Sequence, residues 1–525
     1  MSLIRAATTV GGLTAVSRVA GFARDVLMAR YLGAGLAADA FLVAFRLPNL
    51  FRSLFAEGAF SAGFVPMVAA RMRSGKDGST DASQARGFTE DALAILLPAL
   101  LLFTAVVMVA TGPVVFLMTG GFGGDAPEKF ALTVELTRLT FPYLLLISLV
   151  ALLGGVLNAL GRFAIPAMAP IFLNAVLIAA ILFARGDGTE ATARALAAGV
   201  SIAGVVQFIA VSVAVARAGA APWLRLPRWT AEMAEMFRRI GPAAIGAGAT
   251  QINLFVSTLI AASLLPEGSV SYLYYADRLN QLPLGIIGIG MGIALLPTMS
   301  RLISSGSDSA AVHQQNRAIE FALLLTIPAA TALVVAALPI VTGLFRQGAF
   351  TSADAQGAAA ALAAFSLGLP AYVLIKVLTP GFHARGDTRT PMRVAIGAIL
   401  INLVGNLSLI WVLGHVGIAL ATAIAAWVNA AVLWFLLDRR SLFAVDAQLR
   451  RVVPRMLGAA LAMAAVLWAL SGPLMPWLEG GATTRVAGLA ILIGAGGLTY
   501  LAAGRLTGAY DLAYLRDAFR RSSAT

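Results

Sequence analysis

No cysteine occurs anywhere in this 525-residue chain, so disulfides, thiolate nucleophiles and cysteine-ligated metal sites are excluded. Histidine is nearly as scarce. His313, His383 and His415 lie far apart in the sequence, which argues against a metalloenzyme. Charge is low too: 12% of residues are charged, against roughly 25% in a soluble globular protein, while 59% are hydrophobic and the mean hydropathy is +0.86. This is the composition of a membrane protein. Lysine is the rare cation, three residues against thirty-five arginines. The net charge of +13 is not gathered into basic runs interleaved with aromatics, so nucleic acid is not an expected partner. The lone Gly-Lys pair, Gly75-Lys76, lacks Walker A spacing, so no ATPase site is expected. One arginine precedes the first apolar segment, and no small-residue cleavage site follows a short apolar core. The N-terminus therefore reads as a retained helix.

What is present is a series of long apolar runs. Stretches of about 20 residues, enough to cross about 30 Å of hydrocarbon, can be bracketed fourteen times: 8–31, 37–67, 88–111, 130–157, 164–184, 191–216, 240–263, 269–300, 318–342, 356–381, 394–413, 416–437, 456–471 and 486–504. The expected fold is an all-α polytopic membrane protein with about fourteen transmembrane helices. The distribution of basic residues tests that bracketing. With the N-terminus inside, 25 cations fall on inside segments and only Lys129, Arg185, Arg346 and Arg485, with Arg194 at the outer end of its span, on the outside.

The chain also repeats itself. "FVPMVAARMRSG" at 64–75 returns as "LLPTMSRLISSG" at 295–306, and at the same offset of 231 Asn49 matches Asn280. "LNALGRFAIP" at 157–166 returns as "FHARGDTRTP" at 382–391, at an offset of 225. Two pseudo-symmetric six-helix bundles in parallel orientation are expected, over 1–220 and 221–440, with a C-terminal helix pair and cytoplasmic tail over 441–525.

Eight cations remain inside the bracketed spans: Arg18, Arg24, Arg30, Arg46, Arg52, Arg138, Arg278 and Lys376. Each costs roughly 2.5–3.5 kcal/mol at a helix centre, so such residues face a cavity or a partner. Arg30, at a helix end, reads as a snorkelling residue. Arg46 and Arg138 could pair with acids on their own spans, Asp39 or Glu57 for the first and Glu135 for the second. Arg18 is too deep for easy snorkelling. On an ideal helix Asp39, Arg46 and Glu57 fall within roughly 20° of one another, with Ser53 and Ser61 within about 40° of Asp39, which makes a polar stripe. Pro48 in "RLPNLFRS" is expected to interrupt that helix and re-aim Arg52, and "YYADRLNQLP" places Asp277, Arg278, Asn280 and Gln281 beside Pro283. Broken polar helices at matching places in two halves point to a substrate site at the repeat interface. Acids in these spans number five against eight cations, so the site should attract anions, and arginine favours bidentate recognition of phosphate or carboxylate. Gln251, Asn253, Asn402 and Asn406 read as interhelical glue.

"SRVAGFARD", "ADAFLVAFRLPNLFRSLFAEGAFSAGFVP", "YYADRLNQLP" and "TPGFHARGDTRTP" resemble the MviN/MurJ lipid II flippases of bacteria, within the multidrug/oligosaccharidyl-lipid/polysaccharide exporter superfamily. The resemblance covers essentially the whole chain. It implies two lobes around a cationic central cavity and alternating access that carries the lipid-linked peptidoglycan precursor from the cytoplasmic to the periplasmic leaflet. The family's required arginines match Arg18, Arg24, Arg52 and Arg278, and its cavity acids match Asp39 and Asp277. Arg46, Glu57, Asn49, Ser61 and Lys376 complete the expected substrate-binding set. The last two helices resemble the element that forms a groove for the polyprenyl tail. Gln281 is a departure, since relatives often carry an acid there. The resemblance also implies the bacterial inner membrane, lipid II and bilayer lipid as partners alongside the cell-wall synthesis machinery, and no cofactor; the distribution of basic residues puts both termini in the cytoplasm, and the outward movement of a negative headgroup makes the membrane potential the expected driving force.

Other classes fit less well. A drug or other cation-coupled exporter of the same superfamily would share the two-lobe plan, but a site for cationic drugs should be net acidic. A membrane glycosyltransferase or phosphatase needs catalytic acids or histidine in a sizeable loop, and the inside loops here are short and basic. A scaffold has no use for eight intramembrane cations.

Overall fold

The computed structural model describes residues 3–56, 59–72, 82–124 and 126–510. Every regular element among them is helical. In lipid, without water, a helix satisfies each of its backbone N–H and C=O groups within its own segment, and apolar runs of about 20 residues have the length for it. The helices pack as two compact units, Met1–Ser271 with Gln347–Phe350, and Tyr272–Arg346 with Thr351–Thr525.

The first unit contains α1 (Leu3–Leu32), α2 (Leu36–Ala56), α3 (Ala59–Met72), α4 (Ala82–Val109), α5 (Thr111–Thr119), α6 (Pro127–Thr140), α7 (Pro142–Ala159), α8 (Ala164–Phe183), α9 (Thr189–Arg217) and α10 (Ala231–Leu264). Here α1 lies on α8 and α9, α2 on α6, α7 and α10, and α3 on α4, α7 and α10. Close approach depends on small residues. A Cβ on Gly204 of α9 would sit 2.9 Å from the Tyr143 ring of α7. The buried rings of Phe60, Phe64 and Phe88 stack in series between α3 and α4.

The second unit takes most of α11 (Ser269–Ser304), then α12 (Asp308–Val335), α13 (Ala337–Phe345), α14 (Ser352–Ser366), α15 (Leu369–His383), α16 (Arg389–Leu413), α17 (His415–Arg439), α18 (Ala447–Glu479) and α19 (Ala482–Thr507). Its core gathers on α12, α15, α17 and α18 around Met299, Ile319, Phe382 and Leu437. Asn402 of α16 donates to the Thr422 hydroxyl of α17 at 3.1 Å, which is the interhelical role expected of it.

Among the described residues, ten helical stretches are long and apolar enough to cross a membrane. Two of them, Pro127–Ala159 and Ser352–His383, each join two consecutive helices at a bend. The bracketed segments 8–31, 37–67, 240–263 and 269–300 fall outside those ten. They include the stretches with Arg18, Arg24, Arg46, Arg52 and Arg278, so helices α1, α2 and α11 are also the polar ones.

Two expectations are corrected. Neither Pro48 nor Pro283 breaks its helix: α2 runs through the first and α11 through the second. Pro48 has no N–H to give to the Ala44 carbonyl one turn back. The Thr140 hydroxyl of α6 donates to that carbonyl at 3.1 Å, sharing its proton with Thr137 O at 3.2 Å. The same repair occurs in the second unit, where Pro328 frees the Leu324 carbonyl and the Tyr500 hydroxyl of α19 donates to it at 3.1 Å. A neighbouring helix thus supplies the bond that the proline removes.

Candidate substrate site

On α1, Arg18 and Arg24 are six residues apart and therefore point roughly 120° away from each other. Arg18 is exposed and makes no hydrogen bond or ion pair among the described residues. Arg24 is buried. Its Nε and Nη2 reach Asp25 Oδ1 at 3.1 and 2.6 Å, and Nη1 donates to Asn174 Oδ1 of α8 at 3.0 Å. The Asn174 amide in turn donates to the Ser17 carbonyl at 3.1 Å. Arg24 is thus held at the α1–α8 seam, while Arg18 presents its guanidinium outward. Nothing in the 3.6-residue period of α1 singled out Asn174. The available signal was that an amide inside the apolar run "AIPAMAPIFLNAVLIAAILF" needs a partner.

Asp39 is fully buried on α2. Its Oδ2 accepts from Lys129 Nζ at 2.8 Å and from the Gly268 N–H at 2.8 Å, and its Oδ1 accepts from the Ser271 N–H and hydroxyl at 2.9 and 2.7 Å. An anion at the first turn of α11 sits where unsatisfied N–H groups and the helix dipole favour it. Lys129, expected at an outside loop, is the buried partner of Asp39. Arg46 therefore does not pair with Asp39. Its Nη2 donates to the Leu254 carbonyl of α10 at 2.9 Å. Glu135 is likewise taken, by Arg194 at 2.8 Å, which leaves Arg138 exposed and outside that pair. Asn49 Oδ1 accepts from Arg52 Nε at 3.0 Å, so this pair, one turn apart on α2, holds the half-buried guanidinium in place. Glu57 and the side chain of Ser61 lie outside the described residues. Arg30 is exposed at the end of α1 with its guanidinium 5.4 Å from the Tyr31 ring.

In the second unit, α11 carries Asp277 and Arg278 as half-buried neighbours. Arg278 lies over the Tyr274 ring at 4.8 Å. The Gln281 amide donates to Asp277 Oδ2 one turn away. Gln281 is thus a hydrogen-bond donor to the neighbouring carboxylate. Lys376 is exposed on α15. Among the described residues no cluster of three or more histidine or acidic side chains could hold a metal ion.

The family model for "Lipid II flippase MurJ" matches residues 28–487. The chain is 43% identical over 529 residues to "Probable lipid II flippase MurJ" of Rhizobium tropici, covering 99% of this chain and 97% of that one. The chain belongs to the MurJ lipid II flippase family. Other members are comparably placed. "Probable lipid II flippase MurJ" of Rhizobium meliloti (strain 1021) is 43% identical, covering all of this chain and 97% of its own, and "Lipid II flippase MurJ" of Burkholderia cenocepacia is 35% identical, covering 89% and 90%. Among solved structures, "Lipid II flippase MurJ, inward closed conformation" matches with a TM-score of 0.77 at 24% identity, over 97% of this chain and 99% of that one. An inward-facing multidrug resistance MATE family transporter of the MOP superfamily matches at 0.64 and 16% identity, over 81% and 95%. At these identities the structures establish the fold. The chain is a multi-pass, all-helical membrane protein of this family.

Proposed function

We propose that this MurJ family member flips lipid II from the cytoplasmic to the periplasmic leaflet of the bacterial inner membrane. The observation that carries the proposal is full-length identity of 43% to lipid II flippases, joined to arginines in otherwise apolar spans. A diphosphate leaving water needs fixed donors to replace its hydration, and guanidinium groups supply them in bidentate form. In this reading the two lobes alternate access to a cationic central cavity. Arg18, Arg52 and Arg278 meet the headgroup, with Asp277 and Lys376 beside them, while Arg24 positions α1 through Asn174. The chain acts as a carrier rather than a catalyst, since flipping makes and breaks no covalent bond. Both termini lie in the cytoplasm, and the pair α18–α19 holds the polyprenyl tail.

Depletion in cells, followed by measurement of which leaflet holds lipid II, tests the activity. Loss of the protein should leave lipid II in the inner leaflet, and wild type should restore export. Arg18→Lys, Arg52→Lys and Arg278→Lys keep the charge but lose the fork. Each should insert normally and restore export poorly. Full restoration by all three would reduce the arginines to a charge role, and lipid II reaching the outer leaflet undiminished after depletion would overturn the function.

A further inference from the structure

Away from the residues assigned above, the first unit has a cavity of about 380 Å³ where the end of α7, the start of α8, the end of α9 and the N-terminal part of α1 meet. Its walls are apolar, built by Leu157, Phe163, Ile165 and Val213, and it also carries two guanidinium groups, those of Arg162 and Arg217. Both arginines are exposed, neither makes a side-chain hydrogen bond or ion pair among the described residues, and no acid is among the lining residues.

The internal repeat shows what this corner is missing. Gly161 and Gly386 both have left-handed backbones, with φ of +73° and +77°. The Gly161 N–H donates to Asn158 O at 3.0 Å and the Arg162 N–H to Leu157 O at 2.8 Å; 225 residues later Gly386 donates to His383 O at 2.9 Å and Asp387 to Phe382 O at 3.1 Å. The next helices begin at Ala164 and Arg389, again 225 apart. The two corners share one backbone turn, and among their side-chain differences Arg162 stands where the second unit has Asp387. There Asp387 Oδ2 accepts from Arg440 Nη1 at 2.8 Å, immediately after the last residue of α17, as Arg217 is the last residue of α9. The Thr390 hydroxyl and N–H, and then Arg440, hold the Asp387 carboxyl well below the usual carboxylate range. In the second unit the helix-end arginine has its own counter-anion. In the first unit that place holds a second cation above an apolar wall.

We propose that this corner of the first unit binds an anionic bilayer phospholipid, whose phosphate takes the role of Asp387 between Arg162 and Arg217 while an acyl chain lies along Val213 and Ile165. A soluble anion would gain nothing from the apolar wall and a zwitterionic lipid less from the paired cations. With the topology proposed above the corner faces the cytoplasmic leaflet, where basic pockets between transmembrane helices capture anionic headgroups.

The absence of cysteine makes the test direct. Val213→Cys, labelled with bimane in the full-length protein, is reconstituted in phosphatidylcholine vesicles that contain brominated phosphatidylglycerol or brominated phosphatidylcholine. Phosphatidylglycerol should half-quench the label at a mole fraction at least about fivefold lower, the factor one arginine near an anionic surface contributes. A label at Ile202→Cys on the same helix, 55% exposed and outside the cavity lining, should respond to both lipids alike. Arg162→Gln with Arg217→Gln should abolish the preference at Val213. Arg162→Asp should abolish it too, by placing a carboxylate beside Arg217 as Asp387 lies beside Arg440. Equal quenching by the two lipids at Val213, a preference that survives both sets of substitutions, or its displacement by millimolar inorganic phosphate would each overturn the lipid assignment.

Discussion

Asp39 and Lys129 form a buried ion pair in which the carboxylate also accepts two backbone N–H groups and a hydroxyl. Removing one member of such a pair leaves an uncompensated charge in a low-dielectric interior, at a cost of about 3–5 kcal/mol. Asp39→Ala should therefore destabilise the protein by about that much in denaturant unfolding of the detergent-solubilised chain. Adding Lys129→Met should recover part of the loss, since the stranded ammonium is gone while the Gly268 and Ser271 donors stay unpaired. Additive losses in the double variant would show that the two side chains do not act as a unit. Arg24 makes a parallel case with a functional readout. Because Asn174 links it to Ser17, Asn174→Ala should reduce lipid II export in the same direction as Arg24→Lys, with the Arg18 position untouched. Export at wild-type level in Asn174→Ala would separate Arg24 from the α1–α8 seam.

At the scale of the helix, proline is tolerated wherever another helix replaces the missing bond. Thr140→Val leaves the Ala44 carbonyl without its donor and should cost about 1–3 kcal/mol. Pro48→Ala in the same chain restores an N–H one turn away, so the double variant should cost less than Thr140→Val alone. The pair Tyr500→Phe and Pro328→Ala should behave likewise at the α12–α19 contact. If Pro48→Ala fails to rescue Thr140→Val, the hydroxyl matters for some reason other than the freed carbonyl. A second device fixes the start of α18. Asp446 caps it by accepting from the Leu449 N–H at 2.7 Å, and buried Arg317 of α12 bonds both Asp446 and Glu320. Burial pushes the Asp446 carboxyl upward, but the Leu449 and Arg317 hydrogen bonds outweigh it and leave the group below its ordinary value. In the sequence Arg317 is one more inside cation; its partners make it the tie between α12 and the C-terminal helix pair.

For the whole molecule, orientation and driving force are the open physical quantities. With 25 cations on inside segments and five outside, an even number of crossings should place both termini in the cytoplasm. A cysteine introduced near Gly123 should react with an impermeant reagent from the periplasmic side and one near Gly78 should not; the reverse pattern would invert the topology. A headgroup with negative charge that moves outward travels toward the positive side of an energised membrane, favoured by roughly 2.3 kcal/mol per charge per 100 mV if it crosses the whole field. An empty site with the net positive charge proposed above would be drawn inward by the same field, so potential should drive both half-cycles. Collapsing the potential with an ionophore while holding the pH and Na⁺ gradients should slow flipping in proteoliposomes. Undiminished flipping would leave ion coupling as the energy source.

Composition and hydropathy by themselves determined that this is an all-helical, multi-pass membrane protein, because apolar runs of about 20 residues fit spanning helices and not the shorter, alternating strands of a barrel. Motifs in α1, α2 and α11 determined the family. The repeat of "LNALGRFAIP" in "FHARGDTRTP" was legible as pattern, and it returns as the same backbone hydrogen bonds at Gly161 and Gly386. Only the tertiary structure decided which charges are spoken for. A helical wheel reports which residues share a face of one helix, and Asp39 and Arg46 do. It is blind to what the next helix offers, and the partners that settled the matter, Lys129 for Asp39, Leu254 for Arg46, Asn174 for Arg24 and Arg194 for Glu135, come from 59 to 208 residues away. Long-range packing likewise decided the fate of the prolines: a local rule predicts a broken helix, and a hydroxyl from a distant segment keeps it whole.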